Sequence, residues 1–355
     1  MTSRERISLV MAGGIPDRVP MHDGYWDEAL DLWREEGLPA DVAADRDLLW
    51  EYFDMEIRQI SIDPSFLLEE RTLGEDERYI SKQTSDGAVL KYIKGKTSTP
   101  GLESFRVRTR QDWEALKPRL LSIEGRLPAD LGERYRSYRD RGRYVVATIH
   151  DPIEASWSKL GPTYLMEAMG SDPDLVEEVF KTITDMNLVA LEDLLGRGYE
   201  IDGGWIWGDI AYSRGTFFSP RMYKHFLQPC HKRLVGFFAE RHLPVVYHSD
   251  GDLRRVMDLL IETGIRCLQP LEAKAGMDIL EMKRLYGDRL VFMGNIDFEV
   301  IARGEQEAEA EIALKVGRGK QGGGYIYHSD HSVPPKISLK RYRQVLDLVR
   351  RYGTY

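Results

Sequence analysis

The stretch Pro244-Val245-Val246-Tyr247-His248-Ser249-Asp250-Gly251-Asp252 decides the predicted fold. Its apolar part is typical of a buried strand, which ends abruptly in His248, Asp250 and Gly251. Side chains two residues apart on an extended chain point to the same side, so His248 and Asp250 share a face. An apolar strand followed by polar side chains and a glycine turn is typical of parallel α/β folds that carry chemistry at their strand ends.

The same pattern of strand, turn and helix recurs along the chain. Alternating strands and helices predict a parallel sheet, and about eight strands favour a closed (β/α)8 TIM barrel over an open doubly wound sheet. No Gly-x-Gly-x-x-Gly segment opens a helix after the first strand, which argues against a dinucleotide-binding fold. The predicted strands are 19–21, 60–63, 144–149, 203–207, 245–247, 267–270, 290–293 and 324–327, and the predicted helices are 3–12, 26–36, 173–195, 220–241, 253–263, 278–286 and 307–317.

An antiparallel β-hairpin is predicted as an N-terminal excursion from this α/β pattern. Alternating residues flank Ser85-Asp86-Gly87, and Asp-Gly between such segments is a strong hairpin signal. We place this insertion at about 75–95 and expect a lid, a rim or a structural cover over one barrel end. A chain of 355 residues could form two average domains or one large barrel. The recurring pattern predicts a single barrel domain over 1–355.

The composition indicates an ordinary globular protein, because 42% of the residues are hydrophobic and 30% are charged. The net charge of −9 argues against a nucleic-acid partner. Cys230 and Cys267 are too few for a disulfide framework, and we expect both to be small core residues. No apolar run could span a bilayer, and the first residues contain no apolar signal core. We therefore expect a cytoplasmic protein without a membrane partner.

Imidazoles and carboxylates follow most of the predicted strands. In a barrel these strand ends converge on one face, so residues far apart in sequence become neighbours around one cavity. Such a set suits either a metal ion such as zinc or general acid–base chemistry. The side chains concerned are His150, Asp151, Asp209, His248, Asp250, Glu272, Asn295, Asp297, His328, Asp330 and His331.

Some of these acids and amides also have a purely structural interpretation. Ser3 is placed to cap the first helix, and Asp172 and Asp252 could each cap a later one. Asn295 and Asp297 could bond the loop backbone as Asx-turns. These alternatives remain open at the level of sequence.

The histidines and aromatic residues have alternatives too. His248 and His331 could be buried imidazoles whose hydrogen bonds are all made within the protein and serve only the structure. The tryptophans and the tyrosine that alternate along strands could line a flat ligand or simply pack in the core; they are Trp205, Trp207 and Tyr247. The histidines at polar helix positions, which we expect at the surface, are His225, His231 and His242.

Five motifs resemble the uroporphyrinogen decarboxylase superfamily. Their order and spacing match over nearly the whole chain, as does Pro-Asp-Arg-Val-Pro at 16–20. The resemblance implies a distorted (β/α)8 barrel and, as the family expectation, a homodimer. The motifs are Ser-Pro-Arg-Met-Tyr at 219–223, His-Ser-Asp-Gly-Asp at 248–252, Gln-Pro-Leu-Glu-Ala-Lys-Ala-Gly-Met-Asp at 269–278, Met-Gly-Asn-Ile-Asp at 293–297 and Gly-Gly-Tyr-Ile-Tyr-His-Ser-Asp-His-Ser-Val-Pro at 323–334.

One segment departs from the decarboxylases of this superfamily. Those enzymes carry an N-terminal Met-Arg-Gln-Ala-Gly-Arg segment whose arginines bind the carboxylates of the substrate. The matching region here is Pro20-Met21-His22-Asp23-Gly24-Tyr25-Trp26, which contains no arginine. A porphyrinogen with eight carboxylates needs cationic, bidentate partners. The segment therefore argues against a role in heme biosynthesis.

Another branch of the superfamily contains zinc-dependent methyltransferases that feed corrinoid proteins or coenzyme M. Many of these methyltransferases use a His-x-Cys motif and a later Cys. Here the first motif reads His248-Ser249-Asp250, and the later Cys is replaced within 328–331. The resemblance then implies an N/O zinc site of His248, Glu272 and His331, with Asp250 as a ligand or a support.

A zinc ion without a thiolate ligand is a harder Lewis acid, suited to polarising an ether or phenolate oxygen. We therefore expect methyl transfer from an O-methyl, aryl ether type of substrate to a corrinoid on a partner protein. Asp209, Asp250 and His150 are the candidate catalytic residues. The candidate substrate-binding residues are His22, Tyr25, Trp207, Tyr247, Asn295 and His328.

Two other functions remain open. A cofactor-independent decarboxylase, acting on a small or tetrapyrrole carboxylic acid, could use Arg214 near the substrate carboxylate. A non-catalytic barrel that binds a small molecule is the third possibility. It is disfavoured because burying several ionisable groups costs stability, which chemistry usually explains.

Overall fold

The structure is a computed structural model and describes residues 1–95 and 100–355. Strands and helices alternate through most of its length, as the sequence predicts. In chain order the strands are β1 (Ile57–Ser61), β2 (Arg71–Glu75), β3 (Tyr79–Gln83), β4 (Val89–Ile93), β5 (Gly101–Ser104), β6 (Tyr144–His150), β7 (Gly203–Trp207), β8 (Ala211–Tyr212), β9 (Gly215–Thr216), β10 (Val245–His248), β11 (Cys267–Leu271), β12 (Val291–Gly294) and β13 (Tyr325–Ile326).

The helices pack apolar side chains against the barrel, most of them on the outer side of the strands. None of them, within the described ranges, combines the length and apolar character needed to cross a bilayer. They are α1 (Ser3–Met11), α2 (Asp27–Glu35), α3 (Ala40–Ala44), α4 (Arg46–Tyr52), α5 (Arg110–Leu120), α6 (Leu131–Asp140), α7 (Pro152–Leu160), α8 (Pro162–Ser171), α9 (Pro173–Gly196), α10 (Pro220–Met222), α11 (Gln228–Ala239), α12 (Met257–Ile261), α13 (Ile279–Tyr286), α14 (Phe298–Ile301), α15 (Glu305–Gly319) and α16 (Leu339–Gly353), with a π-helix at Tyr223–Leu227 and a 3-10 helix at Ala273–Ala275.

Seven strands form one parallel sheet in the order β1-β6-β7-β10-β11-β12-β13. Because side chains alternate along a strand, every second residue points into the barrel. Helix α1 plugs the N-terminal end of this interior, and both cysteines are buried and free, as expected. The inner cluster consists of Ile7, Val10, Met11, Ile57, Tyr144, Val146, Trp205, Val246, Cys267, Val291, Met293 and Ile326.

A short segment at 20–22 closes the sheet into a barrel. On one side, Tyr327 N donates to Pro20 O at 2.9 Å and His22 N donates to Tyr327 O at 3.1 Å. On the other side, Glu56 N donates to Met21 O at 2.9 Å. The strand predicted at 19–21 therefore supplies the eighth position, and the predicted (β/α)8 barrel is confirmed.

The carboxylate of Glu56 holds this closing segment in place. Its side chain is fully buried, and its Oε1 accepts from Met21 N at 3.0 Å and from Arg18 at 2.7 Å. Its Oε2 accepts from Arg6 of α1 at 2.6 Å. One carboxylate thus joins the closing segment, β1 and the helix that plugs the barrel.

The predicted hairpin is part of a larger antiparallel sheet with the order β2-β3-β4-β5. This sheet leaves the barrel after β1, and its Asp86 turn is fixed to α7 by a buried ion pair. Lys159, which is fully buried, places Nζ 2.9 Å from Asp86 Oδ1, and Ser158 donates to Asp86 Oδ2. The sheet is therefore fastened to the helix that follows β6.

Some predicted helix ends differ from those observed. Thr2 rather than Ser3 caps α1, because Thr2 is extended and its side chain accepts from Glu5 N. Asp172 caps α9 as predicted. The predicted helix 220–241 is interrupted by the π-helix, since Pro229 lacks the N–H that a continuous α-helix needs at that position.

The helix predicted at 253–263 shortens to α12 for a local reason. Asp252 accepts from Arg254 N and from its guanidinium, which makes a turn where a helix start was predicted. Asp252 is therefore not a helix cap.

The prediction of a surface position is correct for His225 and His242 but wrong for His231. His231 is buried, and its Nε2 donates to Asp151 Oδ2 at 2.8 Å. Its Nδ1 accepts from Tyr223 OH at 3.0 Å. A histidine among polar residues resembles a surface residue in sequence, because the buried carboxylate that pairs with it lies 80 positions away.

We expect Glu56→Gln to lower the free energy of unfolding by about 3–5 kcal/mol, because two arginines lose their buried carboxylate. Glu240→Gln is the matched control, since that side chain is 80% exposed and should change stability by less than about 0.5 kcal/mol. Urea unfolding followed by circular dichroism measures both. Equal stability of the two variants would contradict the role of Glu56 in closing the barrel.

The two histidines of one helical region allow a second matched comparison. His231→Leu should cost about 3–5 kcal/mol, because Asp151 keeps a buried charge without its imidazole partner. His225→Leu should cost at most about 1 kcal/mol, since His225 is 58% exposed and pairs only with Glu177 at the surface. Thermal or urea unfolding gives the comparison, and a stable His231→Leu protein would show that the buried pair contributes little.

Candidate active site and metal centre

A cavity of about 310 Å³ opens at the C-terminal ends of the barrel strands. It brings together predicted residues that lie far apart in sequence, from the closing segment to the loop after β13. No lysine or arginine lines it in the described part of the chain. The lining residues are His22, Asp23, Gly24, Trp50, Gln59, Trp205, Trp207, His248, Asp250, Gln269, Pro270, His328, His331 and Ser332.

One group of residues at the cavity has the geometry of a metal site. Asp209, His248 and Asp250 each offer a ligand atom, and these atoms lie within 4.8 Å of one another. His248 ends β10 and is in register with Trp207 at the end of β7, so Asp209 follows only two residues past that pair. The group arises because neighbouring parallel strands end side by side.

The ring of His248 is oriented by a hydrogen-bond chain through Gln269. His328 Nδ1 donates to Ser329 O at 2.8 Å, since a carbonyl oxygen can only accept, which leaves Nε2 of His328 to accept from Gln269 Nε2 at 3.3 Å. Gln269 Oε1 then accepts from His248 Nδ1 at 2.6 Å. His248 Nε2 is therefore the nitrogen that faces Asp209, at 3.5 Å from Oδ1.

Asp250 is held by the loop after β13. Ser332 N donates to His331 Nδ1 at 2.7 Å, so the Nε2–H of His331 points to Asp250 Oδ2 at 3.1 Å. The other oxygen, Asp250 Oδ1, is buried and has no hydrogen-bond partner in the described residues. A buried, unpartnered carboxylate oxygen beside a second carboxylate fits a cation better than an empty space.

His248 and the carboxyls around it shift each other's pKa values. Burial acts against ionisation of Asp209, but the hydrogen bond and charge of His248 lower the pKa of that carboxyl below its ordinary value. Burial likewise opposes a charged His248, while Asp209 raises the pKa of the imidazole above its ordinary value. Glu154 lies nearby, and burial together with Asp209 raises its pKa to about 7. A carboxyl with this pKa is about half protonated near pH 7, so Glu154 adds only part of a negative charge to the group.

Asp23 organises the opposite side of the cavity. This fully buried carboxylate accepts from Tyr327 OH at 3.1 Å and from Tyr342 OH at 3.0 Å. It also accepts from Ser329 Oγ at 2.6 Å. Asp23 thereby fixes the backbone carbonyl that orients His328.

The predicted metal set is only partly assembled. His248 belongs to the observed group, but Glu272 instead accepts from Gly251 N at 2.7 Å and holds the turn. His331 lies in the cavity and contacts the group through Asp250, because its Nε2–H donates to Asp250 Oδ2 at 3.1 Å. Asp209 and Asp250, which we assigned to catalysis, take the two remaining positions.

Three predicted substrate-binding residues lie outside the cavity. Tyr25 packs against Trp33 with ring centroids 5.7 Å apart. Tyr247 points to the outer face of β10 and donates to Asp151. Asn295 donates to two carbonyls and accepts from Ile279 N, which is the loop role that the sequence left open. The other three predicted substrate-binding residues, Trp207, His22 and His328, do line the cavity. Side chains alternate along a strand, so every second one, such as that of Tyr247, points outward.

His150 and Arg214 also lie outside the lining, as do Asp209 and Glu272. His150 is on the inner side at the end of β6, where burial, followed by the charge of Lys159, lowers its pKa to about 4. Arg214 is exposed in the turn between β8 and β9. Neither the His150 nor the Arg214 side chain lines the cavity.

Eight lining residues were not among the candidates. Asp23 and Gln269 stand within segments quoted for their motifs, so their neighbourhood was visible in the sequence. No local sequence pattern marks Trp50 or Gln59 as a site residue. Trp50 lies on helix α4 and Gln59 on strand β1, and only the fold shows which side of each element faces the cavity. Trp205 was recognised only as part of a possible aromatic wall.

Comparison with known families agrees with this architecture. The sequence model of the family described as uroporphyrinogen decarboxylase (URO-D) matches residues 153–352, which is more than half of the chain. A methyltransferase from Methanosarcina mazei has a similar structure, with a TM-score of 0.66 and 15% identity, covering 99% of this chain and 98% of that one. At this identity the likeness shows the fold.

Two curated relatives are named uroporphyrinogen decarboxylase. The protein from Thioalkalivibrio sulfidiphilus (strain HL-EbGR7) is 24% identical over 147 residues, or 39% of this chain and 40% of that protein. The protein from Cellvibrio japonicus (strain Ueda107) is 22% identical over 196 residues, or 53% and 52%. The chain thus spans about half or less of the length of these relatives. Together with the family match and the barrel, these findings show that the chain belongs to the uroporphyrinogen decarboxylase (URO-D) family.

Proposed function

We propose that this member of the family is a zinc-dependent methyltransferase that moves a methyl group from an O-methyl, aryl ether type of substrate to a corrinoid on a separate protein. The observation that carries the proposal is the group of Asp209, His248 and Asp250 beside a cavity with aromatic walls. A single imidazole and two carboxylates are ligands that zinc accepts.

The residues fit a metal ion for three reasons. Their ligand atoms are close enough to meet at one point. Gln269 Oε1 accepts a hydrogen bond from the Nδ1–H of His248, which leaves Nε2 directed at the group. Asp250 Oδ1 is buried without a partner. Three protein ligands would leave one position open for a substrate oxygen, as in other catalytic zinc sites.

When bound, zinc would act as a Lewis acid on the ether oxygen and stabilise the leaving phenolate. The protein would supply the positioning. Gln269 would keep His248 oriented, and His331 would hold Asp250 through its Nε2–H. Such supporting contacts tune a metal site and are part of its chemistry.

Tryptophan side chains would bind the aromatic part of the substrate. Trp207 lies with its ring centroid 3.9 Å from that of His248, and Trp205 stacks on Trp207 at 5.8 Å with an angle of 29°. Flat aromatic surfaces beside a reactive group favour a flat, apolar ligand. Stacking would place a ring next to the proposed metal position.

The same cavity argues against a polycarboxylate substrate. No lysine or arginine lines it in the described ranges, and Arg214 is exposed elsewhere. Its volume of about 310 Å³ is at the small end for ligand sites. The cavity therefore does not support the decarboxylase activity for which the curated relatives are named. It is compatible with the methyltransferase activity for which the Methanosarcina mazei protein is named.

We expect about one zinc ion per chain when the metal-free protein is titrated. His248→Ala should abolish tight binding, and Gln269→Leu should weaken it about 10–100-fold because the imidazole loses its orienting partner. Asp258→Asn is the control, since Asp258 is 74% exposed and lies outside the group. Competition with a chromophoric chelator gives the affinities. If wild type and His248→Ala retained zinc equally, the metal would not be at this site.

We expect the zinc-loaded protein to release a phenol from an aryl methyl ether when free cob(I)alamin is the methyl acceptor. Asp209→Asn should slow this release about 100-fold or more, because a ligand to the Lewis acid is lost. Chromatography of the phenol measures the rate, with Asp258→Asn again as control. Release of carbon dioxide from a carboxylic acid by metal-free protein would instead favour the decarboxylase.

A further inference from the structure

The lower part of the cavity, formed by His22, Gln59 and Trp205, differs in chemistry from the acidic group near its mouth. We refer to these three residues as the cavity floor. His22 comes from the closing segment, Gln59 from β1 and Trp205 from β7, one inward position below Trp207. All three carry hydrogen-bonding groups, and none is acidic.

Several polar atoms of the floor have no partner. His22 Nδ1 and Trp205 Nε1 are buried and make no hydrogen bond to the described residues. Thr148 Oγ1, in register with Trp205 on the next strand, is also buried without a partner. Buried polar groups are nearly always paired, so the two unpartnered floor atoms, with that of Thr148 on the strand next to Trp205, indicate that another group completes them.

The floor is electrically neutral. Burial, followed by the nearby His328, lowers the pKa of His22 well below its ordinary value, so this imidazole carries no charge near pH 7. Burial also lowers the pKa of His328. Asp23, which lines the same cavity, is already bonded to Tyr327, Tyr342 and Ser329, and burial raises the pKa of its carboxyl above the ordinary value.

We propose that the cavity floor binds an uncharged hydroxyl or carbonyl oxygen of the substrate, so that this site takes neutral, hydroxylated aryl methyl ethers and excludes those bearing a carboxylate. This inference rests on the proposed function and adds the substrate class. The indole N–H of Trp205 and the amide of Gln59 are donors to such an oxygen, and neutral His22 is able to accept from a hydroxyl.

The orientation of the substrate follows from the two ends of the cavity. The methoxy group lies towards Asp209, His248 and Asp250, and the hydroxyl lies towards the floor. The ring between them contacts Trp207. A charged carboxylate in place of the hydroxyl would meet no cation, and burying it unpaired is costly.

The test compares three ligands that share one ring and differ only in the group opposite the methoxy group. They are 4-methoxyphenol, methoxybenzene and 4-methoxybenzoate, titrated into the zinc-loaded protein by calorimetry at pH 7. We expect 4-methoxyphenol to bind about 5–10-fold more tightly than methoxybenzene, as one or two neutral hydrogen bonds predict. We expect 4-methoxybenzoate to bind at least about 10-fold more weakly than 4-methoxyphenol.

Two variants remove the floor donors separately. Trp205→Phe keeps an aromatic ring and removes only the N–H, and Gln59→Leu keeps the shape of a half-buried side chain and removes the amide. Each should reduce the preference for 4-methoxyphenol over methoxybenzene to about twofold. Trp157→Phe, outside the cavity lining, should leave the preference unchanged. Circular dichroism checks folding, and Gln59→Leu keeps the test decisive if Trp205→Phe fails to fold.

The outcomes separate this inference from the proposed function, because binding is measured without methyl transfer. Equal binding of the three ligands, tighter binding of 4-methoxybenzoate, no binding of any of them, or an unchanged preference in both variants would overturn the neutral floor. A clear preference for 4-methoxyphenol without any transfer to cob(I)alamin would support the floor and contradict methyl transfer.

Discussion

The closed barrel depends on one buried carboxylate. Glu56 accepts hydrogen bonds from the backbone of Met21 and from Arg6 and Arg18, and it does so at the only place where the parallel sheet of the described residues needs an extra segment to close. Without that segment the strand ends would line an open edge instead of a cavity. Closure also places His22 and Asp23 at the site, so the contacts that stabilise the barrel also form part of the cavity.

Once the barrel is closed, hydrogen bonds of fixed direction define the site. The carbonyl of Ser329 can only accept, which sets the proton of His328, then the amide of Gln269, and finally the proton of His248. The other ring nitrogen of His248, Nε2, therefore faces Asp209. In this way a hydrogen-bond chain that starts at a backbone carbonyl aligns a candidate metal ligand.

The cavity then has two chemically different ends. Near the mouth, Asp209 and Asp250 place two carboxyl groups beside the imidazole of His248, within reach of one cation. At the floor, His22 and Trp205 supply neutral polar atoms without partners. Both ends share the tryptophan wall between them. This division suits a neutral ligand with an ether at one end and a hydroxyl at the other.

The sequence by itself determined the barrel, most strand positions and the set of strand ends where polar residues collect, because periodicity and turn residues are local properties of the chain. It also pointed to His248, Asp209 and Asp250 as neighbours, since each follows a predicted strand. Only the tertiary structure decided which of them form one group, that Glu272 supports the turn, and that His331 donates a hydrogen bond to Asp250. It also decided that His231 is buried and that Tyr25, Tyr247 and Asn295 lie outside the cavity. The physical reason is that burial and hydrogen-bond direction depend on partners tens to hundreds of residues away, which no local pattern contains.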